Sequence, residues 1–108
     1  MKMPGPIPFS LSIALLLVTP LANARPPRIT YTGGDGSSLE KAVVIKGGTE
    51  ETGVHAEYEY LDKHFPGYKR GGQSLQHVSG KAYDVLEFTT ANGKPKTIYF
   101  DISDFFGK

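Results

Sequence analysis

The sequence predicts an α+β fold: one helix packed on a small, mostly antiparallel sheet, in the order β-α-β-β-β with a C-terminal turn. Three observations predict it. Val54, Tyr58, Leu61 and Phe65 recur at helical spacing in a segment bounded by Thr49 and by Pro66-Gly67. Three strand-like runs follow, Ser74 to Val78, Lys81 to Thr90 and Lys96 to Ile102, separated by the turn signals Ser79-Gly80 and Asn92-Gly93. A short apolar run, Ala42 to Ile45, precedes the helix and stops at Gly47-Gly48. A helix segregated to one face of a sheet is the α+β arrangement.

The chain has 108 residues, enough for one domain. Its first 24 residues read as a cleaved signal peptide. Lys2 is a short positive start, Ile7 to Val18 is mostly apolar, Pro20 breaks the run, and Ala22-Asn23-Ala24 is a small-x-small cleavage signal. The apolar run is too short for a membrane span of ~20 residues, so no membrane anchor is expected after cleavage. The expected address is periplasmic or secreted, with cleavage after Ala24. There is no Cys, which excludes disulfides, thiolate metal sites and a thiol nucleophile. Twelve basic and eleven acidic side chains balance once Lys2 leaves with the leader. A neutral exported chain gives no electrostatic footprint for nucleic acid.

Residues 25–36 read as a flexible lead-in. Pro26-Pro27 excludes helix, and Gly33-Gly34-Asp35-Gly36 is turn-rich. The single domain is then expected over 37–108. The strand at Ala42 to Ile45 reads as covered on both faces, with its place in the sheet open. Thr49 or Thr52 caps the helix, and Glu50 and Glu51 suit its positive end. The last three strands, joined by short turns, form a meander, and Phe105-Phe106 dock after it.

Side-chain alternation fixes the faces of the meander. Leu86 and Phe88 share one side of their strand, and Ile98, Phe100 and Ile102 share one side of theirs. A bare two-residue Asn92-Gly93 turn would pair Leu86 with Tyr99 and put these sets on opposite faces. An odd-length connection, with Gly93 in the left-handed region, brings them together. It pairs either Phe88 or Leu86 with Ile98. The opposite face then carries Tyr83, Val85, Glu87, Thr89, Thr97, Tyr99 and Asp101. Two tyrosines and a valine among polar groups exceed what a solvated face needs, which makes this the candidate partner-binding face.

The segment from the helix through His64-Phe65-Pro66-Gly67, then Tyr83-Asp84-Val85, Gly93-Lys94 and Ile98-Tyr99-Phe100-Asp101, resembles PepSY-like domains. That resemblance covers roughly Thr52 to Ile102. It implies a small exported module with a binding or inhibitory role and brings no catalytic residue.

The residues themselves offer little chemistry. His55 and His64 lie nine apart on the helix, on opposite sides, and cannot share a metal. No serine sits in a nucleophile elbow. Gly33 to Ser38 lacks the Lys-Ser/Thr of a phosphate loop. No catalytic, cofactor-binding or metal-ligating residue is assigned, and no cofactor is expected. The first reading is a non-enzymatic binding or inhibitory module with a protein or small-molecule partner in the envelope. The alternative is a small hydrolase-type or metal-dependent enzyme using Asp101, Asp104 and a histidine.

Overall fold

A computed structural model describes residues 28–108. The signal peptide read at residues 1–24 and the first residues of the lead-in lie outside the described residues. Where composition predicts a flexible lead-in, Thr30–Gly33 instead forms an edge strand, β1. It pairs antiparallel with β2, Val43–Lys46, in a register that sets Tyr31 opposite Ile45. The Tyr31 hydroxyl donates to the Ala56 carbonyl, 2.8 Å away on the helix. A four-residue strand with two threonines and a glycine carries no alternation to read, and its order comes from these long-range bonds.

The helix α1 spans Glu50–His64. Thr49 caps it reciprocally with Thr52. The Thr52 amide donates to the Thr49 hydroxyl at 3.3 Å, and the Thr49 amide donates to the Thr52 hydroxyl at 2.9 Å. Its buried line is Gly53, Ala56, Glu57 and Leu61, while Val54, Tyr58 and Phe65 lie half-buried on the flanks. The helix is thus turned from the orientation that Val54, Tyr58, Leu61 and Phe65 predict. Small residues cause the turn. A Cβ at Gly53 would lie 2.5 Å from the Phe105 ring, so glycine lets the fully buried Phe105 slide under the first turn.

The remaining strands are β3, Lys69–Val78, β4, Lys81–Thr89, and β5, Pro95–Asp101. The sheet runs β1-β2-β5-β4-β3. Among the described residues only the β2–β5 pair is parallel, with Val43 opposite Phe100. This is the α+β fold expected, with β1 added in front and β3 begun five residues earlier. By its sequence, Tyr68-Lys69-Arg70-Gly71-Gly72 reads as a basic, glycine-rich loop, but the strand begins at Lys69. That strand has a bulge between Arg70 and Gln73.

The β4–β5 connection is odd in length. Thr89 pairs with Pro95, and Leu86 meets Ile98. The Gly93 amide donates to the Thr90 carbonyl, the Thr90 amide to the Lys94 carbonyl, and Gly93 has φ 88°. Asn92-Gly93 therefore serves a bulged three-residue turn, because an odd-length connection puts Leu86, Ile98, Phe88 and Phe100 together under the helix. The core joins these four to Val43, Ile45, Ala56, Leu61, Ile102 and Phe105.

Candidate functional site

The register brings all seven residues of the candidate face together. Tyr83 lies opposite Asp101, Val85 opposite Tyr99, and Glu87 opposite Thr97, with Thr89 next along β4. The helix covers the other side of the sheet. The seven are unequal in exposure. Tyr83, Val85 and Asp101 are buried, at 9%, 6% and 7% exposure, whereas Glu87 and Thr97 are exposed and Thr89 and Tyr99 are half-buried.

The loop between β1 and β2 accounts for part of that burial. The Tyr99 amide donates to the Gly36 carbonyl at 2.8 Å. Leu39 and Ala42 line one hollow together with Tyr83 and Asp101. The accessible part of the face therefore lies toward the β4–β5 turn. There Glu87, Thr89 and Thr97 line a shallow hollow with Gly71, Pro95 and Lys96. Tyr83 acts as packing, and Tyr99 is the aromatic side chain that the face partly shows.

The carboxylates of the alternative enzyme reading have structural partners. Asp101 Oδ1 accepts from the Ser103 amide at 3.0 Å and from the Ser103 hydroxyl at 2.7 Å. Its Oδ2 lies 3.8 Å from Lys81 Nζ. The Ser103 hydroxyl in turn accepts from the Ala82 amide at 3.0 Å. This chain ties the end of β5 to the start of β4. Asp104 Oδ2 accepts from the Gly47 amide at 2.9 Å, which holds the C-terminal turn against the end of β2.

The histidines lie apart. His55 is exposed on α1. His64 stacks on Tyr60 with ring centroids 4.0 Å apart. His77 packs edge-on to Phe106 at 5.3 Å. His77 pairs with Ala82 and so faces the helix side of the sheet, whereas Asp101, opposite Tyr83, faces the other. Asp101, Asp104 and a histidine are not brought into one cluster. Among the described residues, no group of three His, Cys, Asp or Glu could hold a metal ion.

One buried group escaped sequence reasoning. Glu57 is completely buried on α1, and neither carboxyl oxygen has a hydrogen-bond partner among the described residues. Burial, followed by the close approach of the Asp84 carboxyl and its charge, pushes its pKa up to about 10. Asp84 itself is 5% exposed on β4 and faces the helix. An acid on a helix normally faces water. The available signal was position: Glu57 sits four residues from both Gly53 and Leu61, on the line that packs on the sheet.

The fold and this face define a class: an α+β fold with one sheet surface that its helix does not cover. Comparisons with protein-family models, with curated proteins and with solved structures found no match.

Proposed function

We propose that the chain is an exported, non-enzymatic binding module that engages a partner through the helix-free face of its sheet. The observation carrying this reading is the coherent register of β4 and β5. It gathers Glu87, Thr89, Thr97 and Tyr99 on one accessible surface. Hydroxyls, one carboxylate and a tyrosine edge suit adaptable polar contact around an aromatic anchor. The engagement of Asp101 and Asp104 in backbone hydrogen bonds, away from His77, weighs against acid–base chemistry at those groups.

The test uses exposed positions, since Tyr83→Ala would damage packing. Glu87→Arg and Thr97→Arg should abolish recovery of the partner from an envelope extract while leaving the urea unfolding midpoint unchanged. Undiminished recovery with both variants would remove the face from the account.

A further inference from the structure

The outer edge of β3 offers a second surface with different chemistry. Among the described residues no strand lies beyond β3, and all ten of its residues are exposed. Ser79 (φ 52°) and Gly80 (φ 80°) form the two-residue left-handed turn that joins it to β4. Such a turn makes Val78 and Lys81 a mutually hydrogen-bonded pair. Alternation then points the backbone groups of Gln76 and Ser74 toward β4, and those of His77, Leu75 and Gln73 outward. Bonds on the far side of β4 agree with this phase. The Ala82 carbonyl accepts from the Ile102 amide and the Ala82 amide donates to Ser103, so Ala82, opposite His77, points away from β3.

Edge strands are usually guarded by charge, proline or a bulge. Here the guards crowd the first half, as Lys69, Arg70 and the bulge before Gln73. From Gln73 to Val78 there is no proline, acid, lysine or arginine. Beside the outward groups stand exposed apolar side chains. Leu75 is 47% exposed, with Phe106 (38%) beyond His77 on the same side of the sheet.

Charge decides the occupant. β3 carries Lys69 and Arg70 and no acidic residue. The β3 strand of a second copy brings no acidic residue to set against that basic end. An extended segment of another protein, with an acidic end and apolar residues at alternate positions, matches both the basic end and the apolar one.

We propose that β3 accepts such a segment as an added sixth strand through Gln73, Leu75 and His77. The proposal rests on the binding-module reading but not on the Glu87–Thr97 face, and variants separate the two.

The probe is a capped peptide, Thr-Val-Thr-Leu-Thr-Glu-Asp, titrated into the ¹⁵N-labelled chain. In the free protein the Gln73, Leu75 and His77 amides should exchange quickly with solvent, and those of Ser74 and Gln76 slowly. Peptide should slow the first three and shift their resonances. Leu75→Pro removes an outward amide only, and should weaken binding about tenfold or more with unchanged far-UV circular dichroism. Leu75→Lys gives the same reading should the proline variant fail to fold, and Thr97→Arg should bind the peptide normally. Absence of shifts at millimolar peptide, shifts confined to Thr97 and Tyr99, or protection of the β3 amides by the chain's own dimerisation would each overturn the proposal.

Discussion

At the scale of single residues, Glu57 holds an uncommon position, a fully buried carboxyl with no hydrogen-bond partner among the described residues. It faces Asp84 from β4, with Tyr58 beside it on the helix and Arg70 of β3 lying 3.8 Å from the Tyr58 ring centre. Ionising it there would leave an unpaired charge in the core, so the fold keeps it protonated. Its ordinary pKa is 4.5 and its folded pKa is about 10. The folded state therefore binds the proton more tightly than the unfolded state. The resulting stability is whole below the unfolded value and drains away as pH rises toward the folded one, at up to about 1.4 kcal/mol per pH unit. Urea midpoints should fall from pH 5 to pH 8.5, and Glu57→Gln should flatten that slope and raise the midpoint at the alkaline end. A wild-type midpoint that rises over this interval would show that Glu57 is not buried as described. Tyr31 poses the opposite case, a hydroxyl whose partner is known. Tyr31→Phe removes the bond to the Ala56 carbonyl and should cost about 1 kcal/mol, read as a lower urea midpoint.

At the scale of elements, the helix is held by its small residues as much as by its large ones. Gly53→Ala would normally stabilise a helix by about 1 kcal/mol. Here the added methyl meets the Phe105 ring at 2.5 Å, so the substitution should destabilise, by about 1–3 kcal/mol. A gain in melting temperature would refute the close approach of helix and C-terminal turn. Leu61→Ala should cost about 2–5 kcal/mol, since Leu61 is 1% exposed and its loss leaves a cavity. The elements differ in how well the sequence announces them. The α1, β4 and β5 segments carry periodicity, and the conflict between the apolar sets of β4 and β5 and a bare Asn-Gly turn revealed an odd-length connection while leaving two registers open, of which the structure takes the one with Leu86 opposite Ile98. The β1 segment has none, because four exposed residues are ordered by pairing with β2 and by Tyr31. The first half of β3 is hidden by Gly71-Gly72, whose closeness to β4 leaves no room for side chains at Gly71. Glu57 is hidden because burial of an acid depends on where the whole helix lands.

At the scale of the molecule, the described residues place a single helix on one side of a five-stranded sheet, and they leave part of the other side, toward the β4–β5 turn, and the long β3 edge accessible. The seven-residue face was legible from alternation alone. Its division into buried Tyr83, Val85 and Asp101 and accessible Glu87 and Thr97 was not, since the β1–β2 loop that lies against it carries no periodic signal. The proposed export of the chain has its own check: intact-mass analysis of the exported protein should give an N-terminus at Arg25, and a retained Met1 would contradict it. The central claim is that binding runs through the sheet and not the outer helix. A photo-crosslinking side chain placed singly at Thr97, and separately at Glu59 on the exposed side of α1, tests it most directly in intact cells. The account predicts a discrete adduct from Thr97, lost when Glu87→Arg is added, and none from Glu59. Adducts from Glu59 alone, or equal adducts from both positions, would contradict it.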